Sequence, residues 1–471
     1  MCFWHTLSPL SFFVSGETRC GADLRERKEK QMRMMLVGAG AVGESMLKIL
    51  ARRDPDRKWL EYVLICDYDG DRAAEVEGHL AAWDAPERED GAAGSEKAGA
   101  AGSEKAMPRY ASAQVDAHDV ERMVELARMY DIDFVMDAAA PFVSNQIFDA
   151  AFRAGAGYAS MGTWSVPMED PAYGLGLGNS YTEPMTKYNF DRHEAWKERG
   201  QMAVICLGID PGVVNVFAKY AATHLFDEMT EAHVKDGGNL TFPGADPEKI
   251  TFGFNVWTVL DEVMNPNAEY DEAKGGIFVE KPFAGQETFV MPDGIGPNTL
   301  VKVEHEEVVT FARYLRPYGL KRATFKISLD ESLIHCLKVL DQLGLRSLKP
   351  VEVDGVKVVP RDVVAACAPQ PKDIGSEMVG EMCVGVHCIG TKAGEHREIF
   401  MYQCFDNQES LKDWGLQAVV VQTGFGAALA LELIGKGIWK DAGVFSPEYF
   451  DPEPYLALMD ETGFDYHIEE R

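Results

Sequence analysis

Cysteine is sparse in this 471-residue chain and forms no recognisable framework. The nine cysteines stand at positions 2, 20, 66, 206, 336, 367, 383, 388 and 404. The nearest approach to a metal site is Cys383, His387 and Cys388, but His387 and Cys388 are adjacent and would face opposite sides of a strand. We therefore expect reduced, mostly buried thiols in a cytoplasmic protein, and we predict no metal site.

Basic residues are also in short supply. The chain has 46 Lys and Arg against 75 Asp and Glu, a formal net charge of −29. Such a chain repels nucleic-acid phosphates and anionic membrane surfaces, so the expected partner is a small molecule, with no nucleic acid and no membrane. Residues 1–31 lack the basic start and the long apolar run of a signal peptide or a membrane span. We expect them to form a disordered extension.

What the sequence does contain is a glycine-rich turn between an apolar strand and an amphipathic helix. Its residues are Gly38, Ala39, Gly40, Ala41, Val42 and Gly43. Gly38 permits a tight turn, Gly40 lets the backbone approach a pyrophosphate, and Gly43 lets the helix pack closely on the strand. Free N–H groups at the helix N-terminus favour phosphate. These residues predict a nicotinamide dinucleotide site, with a flavin or a bare glycine turn as the alternatives.

Asp67, which ends the next apolar run, bears on the choice of nicotinamide cofactor. A carboxylate at the end of the second strand accepts hydrogen bonds from both ribose hydroxyls and repels a 2′-phosphate, which predicts NAD. Arg72 in the following turn could instead pair with a 2′-phosphate. NADP therefore stays open as the alternative.

The order of strand and helix patterns predicts an α/β protein with an added α+β domain. Residues 32–220 fit a Rossmann domain with a doubly wound parallel sheet, interrupted at 84–108 by a flexible insertion that contains a tandem eight-residue repeat. Over 221–417 the alternation fades into an α+β second domain for substrate binding and dimerisation. Over 418–471 an apolar helix with small residues is expected to return to the Rossmann domain.

Further cofactor residues are predicted at the ends of the Rossmann strands. Ala138 and Ala139 follow the strand that ends at Asp137, and Asp116 follows the strand before it. Ligands of open α/β sheets bind at the carboxyl ends of the strands, and small residues there leave room for the cofactor. The loop after Asp137 should therefore lie beside the nicotinamide ribose.

Several motifs together resemble the saccharopine dehydrogenase-like family. They are the Gly38 turn, the segments 137–142 and 208–218, and the tail 443–448. The resemblance implies a Rossmann domain completed by C-terminal elements, an inserted α+β domain, and NAD(P)-dependent hydride transfer to or from the C–N bond of an imine or secondary amine that carries amino-acid carboxylates. Segments 210–220 and 305–307 resemble carboxynorspermidine dehydrogenases as much as saccharopine-forming enzymes. We expect a homodimer.

Asp210 and His305 are the candidate catalytic residues. Asp210 could orient a substrate ammonium group or relay a proton, or it could cap the helix that Pro211 and Gly212 open. Carboxylates flank His305 and would raise its pKa, which suits acid–base chemistry. The alternative is that this acidic run opens a helix and faces solvent.

Asn215, Glu306, Arg313 and Arg316 are the candidate substrate residues. Asn215 could bond the substrate or the cofactor carboxamide, or it could satisfy a buried turn. Arginine is the natural partner of a carboxylate because it binds in bidentate fashion. Ion pairs at the surface would account for Arg313 and Arg316 equally well.

Two substrate classes and two other functions stay open. A saccharopine-type product needs several cations at the cleft, whereas a polyamine needs carboxylates, and the acidity of the chain favours the polyamine. Trp257 with Asp261 and Glu262 could help to hold a polyamine, but the favoured interpretation of Trp257 is a core residue. A homospermidine synthase-like transferase would oxidise and re-reduce one amine with bound NAD. A non-catalytic dinucleotide sensor would bind the cofactor without turnover.

Overall fold

The computed structural model describes residues 31–84, 108–164, 185–244, 246, 250–253, 255–369 and 378–471. The predicted N-terminal extension and the tandem repeat of the predicted insertion lie outside these residues.

The first part of the chain alternates strands and helices, as a doubly wound fold requires. Its elements are β1 (Met32–Val37), α1 (Ala41–Arg53), β2 (Leu60–Asp67), α2 (Gly70–Trp83), β3 (Tyr110–Gln114), α3 (Val120–Met129), β4 (Phe134–Asp137), α4 (Ser144–Ala154), β5 (Gly157–Ser160), α5 (Lys187–Phe190), α6 (His193–Glu198), β6 (Met202–Val204) and α7 (Val213–Tyr220). Apart from the edge strand β3, the strands are almost entirely buried, because helices cover both faces of the sheet.

The middle of the chain is rich in strands, and its helices follow no regular alternation. Its elements are β7 (Glu228–Gly238), α8 (Val256–Met264), β8 (Asn267–Asp271), β9 (Gly276–Glu280), β10 (Glu287–Met291), β11 (Gly296–Lys302), α9 (Glu307–Tyr314), β12 (Arg322–Ser328), α10 (Glu331–Gln342), β13 (Val351–Val353), β14 (Val356–Val358), α11 (Pro360–Cys367), β15 (Glu381–Lys392), β16 (Glu395–Asp406) and α12 (Asn407–Trp414). The C-terminal part adds α13 (Ala418–Gly435), β17 (Gly443–Phe445), α14 (Glu453–Thr462) and β18 (His467–Glu470).

Two large sheets organise these elements. The first is a parallel sheet in the order β17-β6-β5-β4-β1-β2-β3, which is a Rossmann sheet extended by one strand from the C-terminal part. The second is mixed, in the order β10-β11-β12-β7-β15-β16-β18, with β12 and β7 parallel and the other pairs along this path antiparallel. The predicted fold class, a Rossmann sheet with an inserted α+β domain, is confirmed.

The C-terminal segment divides between the two sheets. Helix α13 packs on α1, and β17 pairs with β6, so both return to the Rossmann domain. Strand β18 instead pairs with β16 in the second sheet. The expectation that the whole of 418–471 returns to the Rossmann domain is therefore wrong for its last strand, because the short polar run 467–470 carries no local signal of which sheet edge it joins.

Helix α13 is apolar on every side. It is long and apolar enough for a membrane span by composition, but 83% of it is buried inside the fold, as in a core helix. The small residues of this helix allow close packing: a Cβ at Gly426 would overlap the carbonyl oxygen of Gly208, just after β6. The helix thereby fixes the loop that carries Asp210.

Candidate active site

The glycine turn between β1 and α1 has the shape that a dinucleotide needs. Gly38 has φ +101°, and a Cβ there would overlap the backbone of Ala138. A Cβ at Gly43 would overlap the Gly38 carbonyl oxygen, whereas one at Gly40 would meet no protein atom within 4 Å. Gly38 and Gly43 are thus required by the protein's own packing, and Gly40 leaves open space beside the free N–H groups of α1. The turn fits a pyrophosphate.

Asp67 at the end of β2 is held by two backbone N–H groups. Its Oδ2 accepts a hydrogen bond from Ala39 N at 2.7 Å, and its Oδ1 accepts one from Asp69 N at 3.0 Å. These bonds place the carboxylate against the glycine turn, where the adenosine ribose of a dinucleotide lies. Asp116, after the edge strand β3, is exposed and hydrogen-bonded to His118; its predicted cofactor role stays a prediction.

The Arg72 guanidinium is engaged by other partners. Its Nε donates to the Ala39 carbonyl oxygen at 2.8 Å, Nη2 lies 2.6 Å from Glu44 Oε2, and Nη1 lies 2.7 Å from Glu75 Oε2. Two carboxylates and a carbonyl therefore compete with any phosphate for this arginine. The sequence contains all three residues, but it does not show that the two glutamates bind this arginine.

The loop after β4 is shaped by a buried carboxylate. Asp137 Oδ1 accepts a hydrogen bond from Ala139 N at 3.0 Å, and its Oδ2 accepts one from the Tyr158 hydroxyl at 2.9 Å. Burial raises the pKa of Asp137 to about 6. Asp137 thus holds Ala138 and Ala139 at the carboxyl edge of the sheet, and their place beside the nicotinamide stays a prediction.

The Rossmann domain and the second domain meet across this edge. Thr163, just after β5, donates from its backbone N to Glu306 Oε1 at 2.6 Å and from its hydroxyl to the same oxygen at 3.1 Å. Glu306 is 3% exposed, and burial raises its pKa. This predicted substrate residue therefore lies at the domain boundary, beside the ends of β5 and β6.

His305 lies next to Glu306 and is buried, not solvent-facing. Its Nδ1 lies 2.6 Å from Glu307 Oε2, and its ring stacks on Phe325 with centroids 3.7 Å apart and planes 3° from parallel. Burial alone would lower the pKa of His305, but the charges of Glu307, Glu262 and Glu306 outweigh burial and raise this pKa well above the usual range. The surrounding glutamates therefore favour the imidazolium form of His305.

Three carboxylate oxygens around His305 lack a hydrogen-bond partner among the described residues. They are Asp210 Oδ2, Asp236 Oδ1 and Glu307 Oε1, and each is buried. Burial, and next the charge of Asp236, raise the pKa of Asp210 well above its usual range, and burial raises that of Asp236 to about 7. Asp236 and Glu307 are 7% and 0% exposed. Because an unpartnered buried carboxylate is costly, the cluster is built for a cation or a proton.

The sequence left open whether Asp210 caps helix α7 and whether Asn215 satisfies a buried turn. The helix-start contact comes from Asn215, whose Oδ1 accepts from Gly212 N at 2.6 Å, so Asp210 is free of the capping role. The Asn215 amide group donates to Thr310 Oγ1 at 3.0 Å and to Glu448 Oε1 at 2.6 Å. Both amide donors are used and the residue is fully buried, which favours its alternative role in a buried turn over substrate binding.

The two predicted arginines lie at the other end of α9 from Glu307. Arg313 stacks on Phe190 at 4.1 Å, and Arg313 and Arg316 line a shallow open cavity with Glu272 and Lys321. The structure does not bring them to the His305 cluster, because α9 rises by about 9 Å between residues 307 and 313. Their role as substrate ligands stays a prediction that this placement does not favour.

One atom from each of His305, Glu306 and Glu307 lies within 4.8 Å of the other two, a spacing that could suit a metal. The short contact from His305 Nδ1 to Glu307, with the raised histidine pKa, instead describes a hydrogen-bonded ion pair. The sequence offered a second possible metal site at Cys383, His387 and Cys388. There His387 faces His233, whereas the adjacent Cys388 is in the main core, as the alternation of a strand requires.

Sequence reasoning missed Asp236, and it named Glu307 only as a neighbour of His305. Asp236 lies inside β7, next to Lys235 in the sequence, and both are buried. Two adjacent charges within a long strand were the available signal, because such residues are rarely buried without a purpose.

Hydride transfer to a C=N bond requires a proton donor beside the nicotinamide site, since the nitrogen must be charged when its carbon is reduced. The protein is an NAD(P)-dependent oxidoreductase of this class, acting on a CH–NH bond. The profile "Saccharopine dehydrogenase NADP binding domain" matches residues 34–204, and "Saccharopine dehydrogenase C-terminal domain" matches residues 208–464. The chain belongs to the saccharopine dehydrogenase family.

Similar proteins include two enzymes of polyamine chemistry. The chain is 27% identical over 361 residues to carboxyaminopropylagmatine dehydrogenase from Synechocystis, covering 76% of this chain and 85% of that protein. It is 28% identical over 357 residues to carboxynorspermidine synthase from Vibrio alginolyticus, covering 76% and 82%. Saccharopine dehydrogenase (L-Glu forming) from Saccharomyces cerevisiae shares the fold, with a TM-score of 0.61 at 13% identity over 93% of this chain and 100% of that chain.

Proposed function

We propose that the chain reduces the imine formed between an amino-acid aldehyde and the primary amine of a polyamine-type substrate. The supporting observation is the set of unpartnered buried oxygens on Asp210, Asp236 and Glu307. A protonated imine or an ammonium group would supply the missing hydrogen-bond donors and the positive charge. A saccharopine-type substrate, with several carboxylates, would meet repulsion from the same groups.

The names of the similar proteins support the same choice. Carboxynorspermidine synthase and carboxyaminopropylagmatine dehydrogenase both have names that describe products in which a polyamine is joined to a carboxyl-bearing unit. The buried acids of this chain suit the cationic part of such a product.

Within the cluster, Asp210 and Asp236 carry the proton, and His305 with Glu307 holds the geometry. Burial raises the pKa values of both Asp210 and Asp236, so either carboxyl group can carry a proton. Asp210 at the Rossmann edge donates this proton to the imine nitrogen, and the charged iminium then binds against the carboxylates. His305, held by Glu307 and stacked on Phe325, keeps the geometry and offsets part of the negative charge.

A dihydronicotinamide held by the glycine turn and Asp67 would supply the hydride that turns the C=N bond into a C–N single bond, and would itself be oxidised. The chain's contribution is to hold the iminium carbon at the edge formed by Ala138 and Ala139. Thr163 and Glu306 close the same edge from the side of the second domain.

NAD is the cofactor we propose, in preference to NADP. Asp67 lies against the glycine turn where a 2′-phosphate would carry its charge, and the guanidinium of Arg72 is already bound to Glu44 and Glu75. A 2′-phosphate would therefore meet a carboxylate and no free cation at these positions.

The proposal is tested by absorbance at 340 nm with three substrate sets: saccharopine with NAD+ or NADP+, and, each with NADH or NADPH, lysine with 2-oxoglutarate and diamines with aspartate semialdehyde. We expect net NADH oxidation with the diamine set and faster turnover with NADH than with NADPH. Product formation with no net loss of NADH would instead indicate the transferase. NADH binding without turnover on any set would indicate the sensor.

A further inference from the structure

Three aromatic side chains from separate parts of the chain meet near the buried groups Asp210, Asp236, His305 and Glu307, which we call the acidic cluster. Phe142 follows the β4 loop, Trp164 follows β5, and Trp257 lies on α8. The ring centroids of Phe142 and Trp257 are 4.9 Å apart, those of Trp164 and Trp257 are 6.0 Å apart, and those of Phe142 and Trp164 are 6.5 Å apart. We call these three rings the aromatic wall. Phe142 is 38% exposed and the two indoles are half-buried, so the wall presents ring surface to solvent.

The aromatic wall and the acidic cluster are joined through two short connections. Trp164 is adjacent to Thr163, whose backbone N donates to Glu306. Trp257 shares α8 with Glu262, five residues further on and about 7.5 Å along the helix axis. The charge of Glu262 acts on both His305 and Asp210. The wall and the cluster are therefore linked through the backbone at 163–164 and through α8.

Trp257 is fixed in orientation before any substrate arrives. Its Nε1 donates to Asp362 Oδ1 at 3.1 Å, and the buried Arg361 guanidinium lies 5.8 Å from its ring centroid. Arg361 is held in turn by the Arg346 carbonyl oxygen and by Asn265 Oδ1. A ring held in this way is a preorganised surface, and its π-face attracts a cation while its edges pack against methylene groups.

We propose that the aromatic wall is the subsite for the distal cation of the amine substrate, an alkyl chain ending in an ammonium or a guanidinium group. This inference rests on the proposed function and adds to it a reason to prefer diamines over monoamines. The reacting nitrogen lies against Asp210 and Asp236, the methylenes extend along α8, and the distal cation lies over the Phe142 and Trp257 rings. No covalent step takes place at this subsite.

The test is a specificity ratio measured with NADH and aspartate semialdehyde. We compare kcat/KM for 1,3-diaminopropane and for n-propylamine, which lacks the distal cation, and add agmatine to compare guanidinium with ammonium. The variants are Trp257→Leu and Trp257→Phe. The matched control is Trp83→Leu, which removes a tryptophan that stacks on Trp414 and Arg52 at a distance from the cleft.

The wild-type protein should prefer the diamine, and Trp257→Leu should reduce this preference about tenfold through the KM of the diamine. Trp257→Phe should retain most of it, and Trp83→Leu should leave it unchanged. Equal wild-type rates with diamine and monoamine, or an unchanged ratio in Trp257→Leu, would overturn the subsite alone. If the wild-type protein turned over no amine, the proposed function would fail, and the subsite with it.

Discussion

The imidazole Nδ1 of His305 lies 2.6 Å from Oε2 of Glu307, whereas the other carboxylate oxygen of Glu307 has no hydrogen-bond partner among the described residues. The same carboxylate thus fixes a buried cation on one side and offers an open acceptor on the other. Asp210 and Asp236 each add an open acceptor of the same kind. This arrangement leads to the proposed binding of an iminium or ammonium group.

Glu307→Gln should move the pH dependence of the reaction. Burial favours neutral His305 and Glu307 favours the imidazolium, so removing the charge of Glu307 should lower the histidine pKa and shift the alkaline limb of kcat/KM to lower pH. Glu453→Gln is the control, because it removes the carboxylate of a surface pair 3.2 Å from His224. Identical profiles for Glu307→Gln and the wild-type protein would show that His305 does not titrate in the reaction.

Asp236→Asn should stabilise the protein, and more so at alkaline pH. The folded-state pKa of Asp236, about 7, lies above that of an unfolded aspartate, so its contribution to stability declines as pH rises from about 4 to 7. Asparagine cannot ionise and escapes this penalty. The expected gain in unfolding free energy at pH 8 is about 1–3 kcal/mol, since one pKa unit is worth about 1.4 kcal/mol.

Urea unfolding at pH 5 and pH 8 measures this gain, with the exposed Asp71→Asn as the control. A gain that is as large at pH 5 as at pH 8 would show that titration of Asp236 is not its source. The same variant should lose activity, because it removes one of the two buried carboxyl groups that can carry the proton.

Gly40→Ala and Gly38→Ala should separate cofactor binding from folding. A Cβ at Gly40 meets no protein atom, so this variant should fold normally and lose NADH affinity by tenfold or more, because the new methyl group lies where the pyrophosphate approaches. Gly38→Ala should lower the melting temperature, since its Cβ overlaps Ala138 at a positive φ. Gly78→Ala, also in open space, is the control: it should leave NADH affinity unchanged and, as a change within helix α2, should not lower the melting temperature. Unchanged NADH affinity in Gly40→Ala, measured by calorimetry, would contradict the assignment of the turn.

Asp67→Ala should weaken NADH binding and relax the discrimination against NADPH. The change removes a hydrogen-bond acceptor for the ribose and the charge that would repel a 2′-phosphate. Asp71→Ala, in the first turn of α2 and exposed, should change neither affinity. Unaltered dissociation constants for both cofactors in Asp67→Ala would show that Asp67 does not contact the ribose.

Local signals in the sequence predicted the cofactor half of the site. Gly38, Gly43 and Asp67 act within one strand–turn–helix unit, so their spacing carries most of their meaning. Helix α8 is harder to predict from the sequence, because its β-branched residues Val256, Thr258 and Val259 indicate a strand. The packing of the helix against α10 and α11 overrides that propensity.

The substrate half depends on contacts between distant segments. The run around His305 has the composition of an exposed helix start, and only the folded structure shows that Phe325 and Asp236 enclose it. The pairing of β18 with β16 also joins segments that are far apart in the sequence. Neither burial nor sheet pairing at that range has a signature in the local pattern.

The most direct test of the central claim, hydride transfer to the carbon of a substrate C=N bond, follows an isotope from cofactor to product. The protein is mixed with NADH deuterated on the transferred position at C4, aspartate semialdehyde and 1,3-diaminopropane, and the products are examined by mass spectrometry. We predict a secondary amine that carries one deuterium on the carbon of the new C–N bond, with one NADH oxidised for each amine formed. A secondary amine free of deuterium, or deuterium retained in NADH while product accumulates, would contradict the account.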